Sequence, residues 1–179
     1  MKQLLFLLLF CMSLSSVSGW NWQTHTKLVE GVYYTLEGDV LQSLDTDALL
    51  NGSLAPDRDF HDNRLHHYPP SYNKTLYWLE ETRKALREKR YTNASYSFGV
   101  ANHYMSDSFA APHNIEKESS KDHAAYEKQA DQNYQYIPCD KITKKYDLHQ
   151  KFLEATKQGK TWEEWLVKRE GEAPTLTPA

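Results

Sequence analysis

The stretch ASYSFGVANHYMSDSF, residues 94–109, is helical in period but apolar or small on nearly every face. A helix of that kind belongs in the middle of a fold, not at its surface. It also carries His103 and Asp107, which at a spacing of four share one helix face, one turn apart. A carboxylate carried into an interior needs a partner there. The chain must therefore fold around a central helix and bring other polar groups to meet it.

The remaining pattern is helical almost throughout. His25, Leu28, Val29, Val32, Tyr33 and Leu36 follow one helix face, and Gly38 ends that helix. A short helix is expected from Val40 to Leu50. Residues 51–73 contain Gly52, Pro56, Pro69 and Pro70 and read as a long irregular loop, a feature compact domains keep mainly for function. TLYWLEETRKALREKR is a charged amphipathic helix. Further helices are expected over Lys121–Tyr134, Ile142–Lys157 and Thr161–Glu170, and residues 171–179 read as a loose tail. No alternating strand pattern and no internal repeat is visible. The expected fold class is all-α, a single-domain multi-helix bundle over residues 20–170, and 179 residues suit one domain.

The chain opens MKQLLFLLLFCMSLSSVSG, with Lys2 ahead of a short apolar run and Val17 and Gly19 at the positions a signal peptidase reads. Residues 1–19 are therefore expected to be a cleaved secretory signal, leaving Trp20 first. The run is too short for a membrane span. Losing Lys2 and no acid takes the net charge from −3 to −4. Such a chain is not steered to nucleic acid by its overall field, so an anionic substrate must be attracted locally. Cys11 lies in the signal and only Cys139 remains, which excludes an internal disulfide and leaves a core or bound metal to supply stability. Asn51, Asn73 and Asn93 begin glycosylation sequons, which at least places them at the surface.

Within HYMSDSFAAPH, His103 and Asp107 are followed by His113 just beyond Pro112, and HAAYE repeats the four-residue spacing with His123 and Glu127. Imidazole and carboxylate on one face suit zinc. With 8 histidines and 24 acids, about one such pair is expected by chance, so a lone match carries little weight. Here the pair sits on an apolar helix, and APDRDFHDNRLHHYPP adds Asp57, His66 and His67 close together.

Taken in order, these residues resemble the zinc-dependent phospholipase C and S1/P1 nuclease superfamily, helical secreted enzymes with three zinc ions in one cleft. Trp20 resembles the family's first mature residue, whose amine and carbonyl bind zinc. His25 follows it by five, Asp57 resembles the early loop aspartate, and His66, rather than His67, resembles the loop histidine. His103, Asp107 and His113 resemble the central helix, and His123 and Glu127 the last pair, with glutamate the phospholipase choice. The likeness covers Trp20 to Glu127.

That resemblance implies three Zn²⁺ per chain. Asp57, His66, His103 and Asp107 would hold one; Trp20, His25 and a bridging Asp107 a second; His113, His123 and Glu127 a third. It implies phosphodiester hydrolysis by a zinc-bound hydroxide, with Asp57 as the residue that orients or deprotonates the water. Glu127 and the absent disulfides favour a phospholipid at a membrane surface, acted on by a monomer. The alternatives are single-stranded nucleic acid, or a secreted zinc-binding protein without turnover. The chain is shorter than typical members, and its Asp57–His66 gap is shorter too, so the substrate pocket is expected to differ. Tyr33, Tyr34, Tyr68, Tyr72, Tyr77 and Trp78 could face a choline headgroup or a nucleobase, but most read as packing aromatics.

Overall fold

The computed structural model describes residues 22–36, 38–114, 120–133 and 147–168. Among these there are seven α-helices and no strand, so the chain is all-α. They are α1 (Trp22–Thr35), α2 (Asp39–Ser43), α3 (Thr46–Ala55), α4 (Pro70–Arg87), α5 (Tyr91–Phe109), α6 (Ser120–Asn133) and α7 (Leu148–Lys168). Short π and 3₁₀ turns cover Pro56–Phe60, Asn63–Leu65 and Ala111–Asn114. The expected signal at 1–19, Trp20, Cys139 and the tail at 171–179 lie outside the described residues. No described helix is long and apolar enough to cross a membrane.

The centre is α5, as its composition requires. Ala94, Val100, Ala101 and Tyr104 are buried along it, with His103 and Asp107 among them. Two glycines set how closely α3 crosses α5. A Cβ on Gly52 would lie 2.1 Å from the Tyr96 carbonyl oxygen, and one on Gly99 2.1 Å from that of Leu49. The backbones touch there, which only glycine at both positions permits. Asp45 secures the same pairing: it caps α3 by accepting from the Ala48 N–H at 3.0 Å, and it accepts from the Thr92 hydroxyl of α5 at 3.0 Å. On the other side of α5, the Ser108 hydroxyl donates to the Ser71 hydroxyl of α4 at 2.7 Å. Thr24 of α1 donates to Asp131 of α6, tying the chain's first described helix to the one bearing His123 and Glu127.

Three expectations are corrected. The helix expected over Val40–Leu50 is two helices, because Asp45 caps a new start. Residues 51–73 are mostly helical: α3 runs through Gly52 to Ala55, and Pro56, which has no N–H to donate, marks the change from α-helix to π turn. The irregular segment shrinks to the surroundings of residues 61–69, with His61 in the left-handed region at φ 51°. The separate helices expected around Lys157 and Thr161 are one, α7. A Cβ on Gly159 would lie 2.1 Å from the Asn114 Cβ, so this glycine lets α7 lie against the turn that carries His113.

Most of the six aromatics pack, as expected. Tyr72 meets Phe152 of α7 edge-on at 5.2 Å, the Tyr68 hydroxyl bonds His149 at 3.0 Å, and Trp78 stacks on Phe60 at 5.8 Å. Tyr34 and Tyr77 are the exceptions, both largely exposed.

Candidate metal centre

Five elements converge on one buried point. α1 brings His25, the π turn Asp57, the segment after the second turn His66, α5 His103 and Asp107, and the turn after α5 His113. His25, His66, His103 and Asp107 are each at most 1% exposed and Asp57 8%. That burial matters because two carboxylates this deep cost several kcal/mol each unless a cation compensates them. Their ion-pair partners among the described residues are all histidines.

Asp107 divides its two oxygens. Oδ2 lies 2.7 Å from His66 Nδ1 and 3.2 Å from His103 Nε2, while Oδ1 lies 3.3 Å from His25 Nε2 and 4.0 Å from His113 Nε2. Asp57 Oδ1 joins the first set, 3.7 Å from His66 Nδ1 and 3.6 Å from His103 Nε2. Its Oδ2 lies 3.9 Å from His25 Nε2. His113 continues toward a second cluster, with its ring 5.0 Å from that of His123, whose Nε2 lies 2.7 Å from Glu127 Oε1.

The outer nitrogens of the rings decide what the inner ones can be. His103 Nδ1–H donates to the Ser53 carbonyl oxygen at 2.7 Å, and a carbonyl only accepts, so Nε2 bears the lone pair. The Ser106 hydroxyl donates to the His103 carbonyl at 2.9 Å and so accepts from His25 Nδ1–H at 3.3 Å, which leaves the His25 lone pair on Nε2. His66 Nε2–H donates to Asp62 Oδ1 at 3.1 Å, which leaves its lone pair on Nδ1. With the rings neutral, three lone pairs therefore point at four carboxylate oxygens. Lone pair facing lone pair repels. The arrangement is stable only with positive charge between the groups, and neutral imidazole with carboxylate, each outer nitrogen held, is a zinc-type donor set.

The electrostatics agree. Burial keeps His25 well below its ordinary value and pushes His113 down to about 3, so both stay neutral donors. Burial opposes charge on His66 as well, but the carboxylates of Asp107, Asp62 and Asp57 around it push it up to about 10, so with no other cation between it and Asp107 the ring draws a proton. The pocket beside Asp107 thus favours a cation even over the cost of burial. Burial raises Asp57 to about 6, and it also raises Asp107, but His103, His25 and His113 hold Asp107 well below the carboxylate range.

Three groups of donors, His25–Asp57–His103, His66–Asp107–His113 and His113–His123–Glu127, each have their donor atoms within 4.8 Å of one another. Of the nine residues expected as ligands, eight are described and all eight fall in these groups; Trp20 is outside the described residues. Of the adjacent pair His66 and His67, the fold buries the first and exposes the second. The family model for zinc dependent phospholipase C matches residues 24–173. The chain belongs to the zinc-dependent phospholipase C family. It is therefore a hydrolase fold whose buried histidine and carboxylate clusters fit zinc. Comparison with curated proteins gave no match, and comparison with solved structures gave none either.

Sequence reasoning missed the outer partners. Asp62, Tyr104, Ser106 and the Ser53 carbonyl were not singled out, and neither was Asn114. The Asn114 amide donates to the carbonyls of Ser108 at 2.8 Å and Ala110 at 3.1 Å, which closes the end of α5 and turns His113 back. Asn114 next to His113 and Ser106 three residues after His103 were the available signals.

Proposed function

We propose that this chain is a secreted phosphodiesterase that hydrolyses a phospholipid in the manner of phospholipase C, using three zinc ions. The observation that carries the reading is the set of inward lone pairs on His25, His66 and His103, facing the oxygens of Asp57 and Asp107. On this reading Asp57, His66, His103 and Asp107 hold one ion. His25 and Asp107 hold a second together with the amine and carbonyl of Trp20. His113, His123 and Glu127 hold the third.

When bound, zinc supplies Lewis-acid activation of water and charge neutralisation at phosphorus. The residues do the rest. Ser53, Ser106 and Asp62 keep the three histidines as oriented neutral donors. Asp57 is the group we assign to orient the attacking water and accept its proton. Three dications against the carboxylates of Asp57, Asp107 and Glu127 leave a cationic centre in a chain of net negative charge, which suits a phosphate ester.

Secretion rests on the signal-like residues 1–19, and cleavage there would free the Trp20 amine. Asn51, Asn73 and Asn93 are all exposed and open to glycosylation. The protein is assigned as a monomer that works at a membrane surface. Zinc-loaded protein should be offered phosphatidylcholine vesicles, single-stranded DNA or RNA, and a chromogenic phosphodiester. Turnover of lipid but not of nucleic acid is expected. Nucleotide release would select a nuclease, and silence at full zinc would select a binding protein.

A further inference from the structure

Among His25, His66 and His103 the outer partners are unequal. His25 leans on a serine hydroxyl and His103 on a backbone carbonyl, both neutral. His66 Nε2–H alone of the three donates to a carboxylate, Asp62, at 3.1 Å. Asp62 is itself fixed: Tyr104 on α5 donates its hydroxyl to Asp62 Oδ2, and Lys74 Nζ on α4 stands 3.9 Å from the same oxygen. Tyr104 is fully buried and its ring meets that of His66 edge-on at 5.6 Å, so the fold supports both ends of the Asp62–His66 bond.

We propose that Asp62 is a positioning residue for the metal centre: with Tyr104 behind it, it polarises His66 and strengthens the hold of the Asp57–His66–His103–Asp107 group on its metal. This rests on the zinc reading of the site. The physical reason is charge transfer through the ring. A carboxylate that accepts from Nε2–H raises the electron density and basicity of Nδ1, and it also prevents the ring from flipping or changing tautomer. A serine hydroxyl or a peptide carbonyl fixes orientation but supplies less of the first effect. Asp62 also lines a groove of about 890 Å³ with Phe60, Leu65, Lys74, Tyr77 and Trp78. Asp62 thus stands at the edge of the buried cluster, between His66 and the groove, with Lys74 on its outer side.

The test compares the full secreted protein with Asp62→Asn, Asp62→Glu and Tyr104→Phe. Zinc affinity is read by chelator competition, and the coordination geometry by the visible bands of the cobalt-substituted protein. Asp62→Asn should weaken one zinc about 10- to 100-fold, with the other two unchanged, and should alter the cobalt bands. Tyr104→Phe, which leaves Asp62 in place, should shift the same zinc in the same direction by less. Asp62→Glu should recover part of the affinity. A native-like circular dichroism spectrum separates these effects from misfolding, and Tyr104→Phe carries the test if Asp62→Asn does not fold. If native protein holds zinc and Asp62→Asn or Tyr104→Phe holds it as tightly with unchanged cobalt bands, the positioning role is wrong and the zinc reading stands. If native protein holds no zinc, both fail together.

Discussion

Asp107 and His66 meet at 2.7 Å, Oδ2 to Nδ1, while the other Asp107 oxygen faces away toward His25. One carboxylate thus serves two sets of histidines. Among the described residues, Glu127 groups with His113 and His123.

Asp107→Asn should therefore cost more than Glu127→Gln. The first change removes charge from two donor groups, so zinc content should fall by at least two from an expected three and hydrolysis by well over ~100-fold, beyond what the loss of an outer partner costs. The second should cost one zinc and leave measurable activity. Elemental analysis after dialysis, run beside the phosphodiester assay, decides the matter. Equal, mild losses from both would remove the bridging role.

Acid should strip zinc from the centre between pH 7.5 and about 5. Burial pushes the Glu127 carboxyl up to about 7, against the pull of His123, and the Asp57 carboxyl up to about 6. A raised carboxyl pKa means that protons compete with metal from neutral pH downward, about tenfold per pH unit. Both the His113–His123–Glu127 group and the group that contains Asp57 should therefore release zinc over that interval on dialysis, read by elemental analysis. Zinc content unchanged across the whole interval would contradict this.

Gly99→Ala should destabilise the fold although alanine is the better helix former. Its Cβ would sit 2.1 Å from the Leu49 carbonyl oxygen, and overpacking of this kind costs about 1–3 kcal/mol. The separated helices would also carry the Ser53 carbonyl away from His103 Nδ1, now 2.7 Å apart. Thermal unfolding and zinc affinity should fall together. An unchanged melting temperature would mean that the crossing is looser than described.

The N-terminus offers a sharper trial. If the Trp20 amine is a donor, a preceding peptide bond turns it into an amide with no lone pair to give at neutral pH. Protein begun Met-Trp20, or tagged there, should lose one zinc and most of its activity while the helices remain folded. Stability should drop as well, because metal binding is coupled to folding. Equal zinc and equal rates in processed and extended protein would exclude Trp20 from the site.

How far the chain could be read depended on whether the information was local. Helical period along residues 94–109 announced a buried central helix, and four-residue spacing put His103 beside Asp107 and His123 beside Glu127 without reference to any other element. Local punctuation misled where packing overrode it. Gly52 looked like a break and is a contact point inside a helix, and Pro56 looked like loop and opens a π turn.

The sequence by itself determined the all-α class, the inward helix and an ordered set of histidines and carboxylates. Each follows from periodicity and side-chain chemistry within a few residues. Only the tertiary structure decided between His66 and His67, since neighbours in a non-helical segment have the same composition around them and differ only in which side the fold covers. It alone showed which outer group holds each ring: Ser53 is 50 residues from His103, and Ser106 is 81 from His25. Asp62 is only four residues from His66, but it lies among Asp57, Asp59 and His61, and nothing in that run says which acid faces the ring. A lone pair's direction is set by the partner on the far side of the imidazole, and that partner is chosen by packing.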